Sequence, residues 1–199
     1  MRRSFDKFGF SLVEMTVVVA VILILAGALL GVGKYVKIRA EIDLTKSELE
    51  VLTTALQQYY DDFGEFPFFT ADDTDAEVTD DNSNGKLDEY IGDYTPVQGS
   101  IPNDDYDFDS STALFYFLDT NPNSRKIVDS LMDSLITNKD ADGIALKISI
   151  NGDSDIDLPR FVDAWGMSIR YEYIDGTAFP ILTSAGPDKE FNTPDDVVN

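Results

Sequence analysis

Gly9-Phe10-Ser11-Leu12-Val13-Glu14-Met15 is the stretch on which the reading of this chain turns. A short basic leader with Arg2, Arg3 and Lys7 precedes it, and apolar residues follow it to Gly33. From Met15 to Gly33 no residue is charged, and Thr16 carries the only hydroxyl. About 20 such residues span a bilayer as a helix. Glu14 stands at the edge of this run, and an unpaired charge carried to mid-membrane costs about 2.5–3.5 kcal/mol. Such a carboxylate needs a partner. Cleavage after Gly9 would create one, because the new α-amine of Phe10 is a cation at the same depth as Glu14 of a neighbouring copy.

These residues resemble the processing signal of type IV pilins and of type II secretion pseudopilins. That signal has a basic leader, a Gly before the cut, a Phe after it and a Glu four residues on. Gly9, Phe10 and Glu14 occupy those places. The resemblance implies cleavage between Gly9 and Phe10 and N-methylation of Phe10 by a prepilin peptidase. It places the leader (residues 1–9) in the cytoplasm and the domain beyond the inner membrane. An ordinary secretory signal would instead show small residues after its apolar core. Gly27-Ala28 and Gly31 imitate such a site, but that reading leaves Glu14 without a role.

Composition excludes several functions. The net charge of −22 argues against nucleic acid, whose phosphates want a basic face. It suits cation binding or a solvated acidic surface. With neither Cys nor His, the chain has no disulfide, no thiol chemistry, no Ser-His-Asp triad and no zinc site. No nucleophile–base pair stands out, so no enzymatic activity is expected. Hydrophobic residues at 43% still allow a real core.

Residues 10–63 read as one long helix, with its membrane part at about 10–33. No Pro falls between Phe10 and Phe66. Past the apolar half, Ile38, Ile42, Leu49, Leu52 and Leu56 keep a helical spacing. Gly64 and Pro67 stop the helix. Where the family usually carries a Pro, about twenty residues into the mature chain, Gly31 stands, with Gly27 and Gly33 nearby. These glycines either permit local melting or ease helix packing in lipid. Tyr59-Tyr60-Asp61-Asp62-Phe63-Gly64-Glu65-Phe66-Pro67 resembles the helix end of the major pseudopilin of type II secretion.

Residues 64–199 read as the domain. Ser111–Leu118 and Ser124–Ile136 pattern as short helices, with Ile127, Leu131 and Leu135 stacked at i, i+4. Ile144–Ile150 and Met167–Tyr173 alternate as strands, and Ala178–Thr183 reads as another, at an edge because of Pro180. Asp163-Ala164-Trp165-Gly166 resembles the Asp-Pro-Trp-Gly that opens the pseudopilin sheet, and Trp165 is expected in the core. The expected fold is α+β: a long N-terminal helix packed on a small antiparallel sheet, pilin-like, with extended acidic loops.

Asp80-Asp81-Asn82-Ser83-Asn84-Gly85-Lys86-Leu87-Asp88 matches the first half of a calcium loop. Asp80, Asn82, Asn84 and Asp88 are the candidate ligands. The twelfth position is Ile91 rather than an acid, and a solvated Asn/Asp/Gly turn is the alternative. Asn138–Gly143 and Asn151–Asp155 are weaker copies that read as turns. The final stretch, residues 184–196, resembles the C-terminal calcium loop of the major pseudopilin. There Asp188, Asp195 and Asp196 match the spacing of one Asp and, seven residues on, an Asp pair. The resemblance also implies backbone carbonyls of Ala185 and Glu190 as ligands, with Ca2+ as a structural ion. The family often has Gly where Lys189 and Asn192 stand.

The expected function is structural: a type II secretion pseudopilin that self-assembles into a helical filament with other pseudopilins and the secretion machinery. Glu14 would neutralise the Phe10 amine of the next subunit, and the domain would lie in the periplasm. A type IV pilus subunit is the alternative, as is a membrane-anchored calcium-binding protein that never polymerises. Many pilins close a C-terminal loop with a disulfide, so the lack of Cys favours the secretion branch.

Overall fold

A computed structural model describes residues 11–67, 94–100, 106–150, 153–173 and 179–199. The chain divides into two compact units, Met1–Ala40 and Glu41–Asn199. Helix α1 (Leu12–Phe63) runs through both without a break, so the backbone around Gly31 stays helical. It ends as its sequence demands. Gly64 takes a left-handed φ of 80°, and its N–H donates to Tyr60 O at 2.7 Å.

In the second unit α1 buries Leu49, Leu52, Ala55 and Leu56. Ile42 packs against this core from a partly buried position. Ile38 lies in the first unit and is exposed, so the apolar stripe begins to pack later than its spacing suggested.

Helix α2 (Tyr106–Thr120) begins earlier than the expected Ser111. Its first turn carries Asp107 and Asp109, which suit the positive end of the helix dipole. Its buried face is partly polar, which a hydrophobic pattern cannot reveal. Ser111 donates to Phe161 O at 2.8 Å and Thr112 to Phe108 O at 2.9 Å. Helix α3 (Pro122–Val128) starts at an Asn121 cap whose side chain accepts the N–H groups of Asn123 and Ser124. Ser124 then donates to Ala55 O at 2.9 Å, which ties α3 to α1.

The helix expected over Ser124–Ile136 stops at Val128. The chain turns, forms a 3-10 turn at Asp133–Leu135 and enters strand β2 (Ile136–Thr137). Leu135 is buried all the same. Its burial comes from chain reversal, although the i, i+4 stack gives the same apolar signal.

Three small antiparallel sheets complete the α+β architecture. In the first, β3 (Lys147–Ile150) lies between β1 (Tyr94–Gln98) and β4 (Asp153–Asp157). The expected turn at Asn151–Asp155 is therefore a strand over its described residues. In the second, β2 pairs with β5 (Arg160–Phe161). In the third, β7 (Ile181–Ser184) is central between β6 (Arg170–Glu172) and β8 (Val197–Val198). Pro180 does not mark an edge strand; it sits just before β7, where its missing N–H costs no ladder bond. The strand expected over Met167–Tyr173 shortens to three residues: Met167 closes the preceding turn on Asp163, and Ser168 bridges Val162 instead. Phe161, Tyr171 and Leu182 from these sheets, with Ile169 just before β6, close on α1 and α2 in one core. The Tyr171 hydroxyl donates to Pro67 O and so fixes the chain just after α1.

Candidate assembly segment and C-terminal loop

At the start of α1, Ser11 and Glu14 form a reciprocal cap. Ser11 N–H donates to Glu14 Oε2 at 3.0 Å, and Val13 N–H donates to Ser11 Oγ at 3.3 Å. A Ser with Glu three residues on satisfies donors that a helix start leaves orphaned. Glu14 thus has an intrachain partner that the motif-based reading missed, although Ser-x-x-Glu spells it out. Gly9 and Phe10 lie outside the described residues. Leu12, Val13, Met15 and the Val and Ile residues out to Ile24 are exposed.

Among the described residues no helix is long and apolar enough to cross a membrane.

The C-terminal loop follows β7. Gly186 (φ 69°), Lys189 (φ 65°) and Asn192 (φ 67°) are all left-handed. Lys189 and Asn192 therefore hold backbone turns that glycine adopts more readily. Asn tolerates this backbone more readily than Lys. A Cβ at Gly186 would lie 2.4 Å from Asp195 O, so only glycine lets the two ends of the loop close on each other.

The loop brings Asp188 and Asp195 together. Asp188 N–H donates to Asp195 Oδ2 at 3.3 Å, and Asp188 Oδ1 accepts Glu190 N–H at 2.9 Å. Hydrogen bonds from Thr193 and then Asp188 hold the Asp195 carboxyl below the usual range. Asp196 turns inward to the amides of Asn192 and Thr193, at 2.8 and 3.3 Å. The Glu190 carbonyl accepts the Thr193 hydroxyl at 3.2 Å. Ala185 is fully buried at the loop entry.

Among the described residues no three acidic side chains are gathered as a metal cluster. The loop carries the carboxylates of Asp188, Asp195 and Asp196 beside the Lys189 side chain and the Thr193 hydroxyl, which donates to Asp195 Oδ1 at 2.7 Å. Arg170 anchors the loop from outside. Its guanidinium lies 3.9 Å from the Phe191 ring centroid and pairs with Asp107 of α2. Lys189 lines an open cleft of about 640 Å³ with Asp140, Asp142 and Arg160.

The other calcium candidates separate cleanly. Asp80, Asn82, Asn84 and Asp88 lie outside the described residues. In Asn138–Gly143, Asp140 accepts the amides of Ser100, Asp142 and Ile144, which makes this copy a turn, as expected.

The Asp163–Gly166 motif meets a polar face of α1, formed by Glu41, Thr45 and Glu48, that the sequence reading did not single out. Trp165 is half-buried rather than in the core, and its indole N–H donates to Glu41 Oε2 at 3.1 Å. Ala164 N–H donates to Thr45 Oγ1 at 3.2 Å. Asp163 is buried and accepts the amides of Trp165 and Met167 on Oδ1 and the Ser184 hydroxyl on Oδ2. Burial raises its carboxyl above the usual range against these bonds. Glu48 is 1% exposed, and neither carboxylate oxygen has a hydrogen-bond partner. Burial, then the Asp163 charge, pushes it from 4.5 up to about 9. The signal was present: Glu41, Thr45 and Glu48 recur at helical spacing on the face that continues into Leu52.

Residues 5–30 match the family model of the prokaryotic N-terminal methylation motif. The chain carries the prepilin processing and methylation signal, and is type IV pilin-like. Proteins of this kind typically assemble into filaments after cleavage by a prepilin peptidase, and the motif indicates anchoring through the N-terminus. No curated protein and no solved structure matches the chain.

Proposed function

We propose that this chain is a structural subunit of a type II secretion pseudopilus and has no enzymatic activity. The methylation motif over residues 5–30, set on a continuous α1 with an exposed apolar start, carries this reading. Prepilin peptidase cuts between Gly9 and Phe10 and methylates Phe10. The subunit sits in the inner membrane with its domain in the periplasm. Apolar helices then pack into the filament core with those of other pseudopilins. Glu14 exchanges its cap on Ser11 for the Phe10 amine of the next subunit, so the charge stays paired throughout.

The C-terminal loop is proposed to hold Ca2+ through Asp188, Asp195 and Asp196 with the carbonyls of Ala185 and Glu190. The ion would offset repulsion among three carboxylates and add its binding free energy to folding.

Mass spectrometry of the protein from its native membrane tests the first part. Methylated Phe10 at the N-terminus is expected, and an intact Met1 would overturn the reading. Glu14→Ala should insert but fail to form filaments; normal filaments from it would sink the proposed charge exchange. Thermal unfolding of the full chain in detergent, with calcium and with chelator, tests the ion. A rise in melting temperature that disappears in Asp188→Ala/Asp195→Ala is expected.

A further inference from the structure

We infer that Lys34, Lys37 and Arg39 form a collar on α1 that holds the phosphates of anionic lipid headgroups, in the leaflet on the domain side. This rests on the reading above that the chain is anchored in the membrane through its apolar start.

The placement follows from length. The uncharged run Met15–Gly33 lies within the continuous helix α1. At about 1.5 Å per residue it rises about 28 Å, close to the roughly 30 Å of a bilayer's hydrocarbon core. Lys34 is therefore the first residue past the far boundary. From Lys34 to Arg39 the helix rises about 8 Å more, which matches a headgroup layer of roughly 5–8 Å. Lys34, Tyr35, Lys37 and Arg39 are all exposed. Arg39 Nη1 donates to the Tyr35 hydroxyl at 3.2 Å, so a ring and a cation sit together one turn apart. Tyr beside Lys and Arg suits the headgroup level, where apolar stems lie toward lipid and polar ends toward water.

Charge singles out the collar. Three of the chain's 15 basic residues fall within these six positions, in a chain of net charge −22. No acid occurs between Glu14 and Glu41. A protein this acidic is repelled by an anionic surface, and here the sign is reversed. Lys and Arg directly beside a membrane segment attract anionic lipid within a Debye length of the surface. At about 100° per residue the three cations spread over roughly 200° of the helix circumference. A partner helix would meet a stripe on one face, whereas headgroups surround a helix and meet a collar. The opposite basic flank, Arg2, Arg3 and Lys7, is removed in the proposed cut after Gly9. The collar then holds the mature chain from the domain side.

The test uses the full chain reconstituted in phosphatidylcholine vesicles that carry a trace of spin-labelled phosphatidylglycerol or spin-labelled phosphatidylcholine. Electron spin resonance reads the fraction of each label immobilised by the protein. Wild type should prefer phosphatidylglycerol about 3-fold, and less in high salt. Lys34→Gln/Lys37→Gln/Arg39→Gln should lose most of this preference; Gln is as good a helix former as Lys, so α1 persists. Lys34→Arg/Lys37→Arg/Arg39→Lys should keep it. A preference that survives the Gln variant overturns this inference alone. So does a wild type without preference, which would leave the collar to a protein partner. A chain that does not float with the vesicles overturns the anchoring reading, and this inference with it.

Discussion

The indole N–H of Trp165 donates to Glu41 Oε2 at 3.1 Å across 124 positions of sequence. This bond holds the 163–166 turn on the first helical turn of α1 in the second unit. Trp165 is the only tryptophan, so its fluorescence reports the contact directly. Glu41→Ala should red-shift the emission as the indole meets water, and should cost about 1 kcal/mol. Unchanged emission would show that the turn stays seated without Glu41.

Glu48 gives the stability of the domain a definite pH slope. Its carboxyl is raised from 4.5 unfolded to about 9 folded, so the folded state favours the protonated form. Its contribution is fully favourable below about pH 4.5 and is lost as pH rises toward 9. Within that window the slope from this one group approaches about 1.4 kcal/mol per pH unit. Glu48→Gln should remove the slope. It should therefore stabilise the domain more at pH 8 than at pH 5 in denaturant unfolding. Equal effects at both pH values would mean that Glu48 reaches solvent or a cation.

Lys189 holds a left-handed backbone, which costs a residue with a Cβ roughly 1–2 kcal/mol. Lys189→Gly relieves this and adds some unfolded-state entropy, so a net gain of about 0.5–1 kcal/mol is expected. Gly186→Ala should do the opposite, by several-fold more, because its Cβ meets Asp195 O at 2.4 Å. Thermal melts of the two variants give the comparison. A loss of stability in Lys189→Gly would show that its charge, near Asp140 and Asp142, outweighs the strain.

Arg170 joins α2 to the C-terminal loop by pairing with Asp107 and covering Phe191. Lys cannot present a planar fork to the carboxylate and the ring together. Arg170→Lys should cost about 1–2 kcal/mol and speed exchange around Phe191, while Arg170→Ala costs more. Equal stability of Arg170→Lys and wild type would assign the contact to charge alone.

The N-terminal segment was legible because its signals are local. A charge at the edge of an apolar run, a Gly-Phe pair and a basic leader need no folding partner to be read. The extent of α1 was equally legible, since its periodicity and the Gly64 stop act over a few residues. The left-handed turns at Lys189 and Asn192 were not legible, since neither residue type announces a left-handed backbone. Tertiary structure alone decided the rest. Ile127, Leu131 and Leu135 carry a helical pattern, yet the chain leaves the helix at Val128 because Ile136 and Thr137 pair with Phe161 and Arg160. Glu48 looks like an ordinary surface acid in sequence, and the motif that carries Asp163 does not show that its carboxyl is buried. Only the packing of α1 under the 163–167 turn buries them, because burial depends on residues more than a hundred positions away. A carboxylate's hydrogen bonds and desolvation are therefore set by the fold and not by its neighbours in the chain.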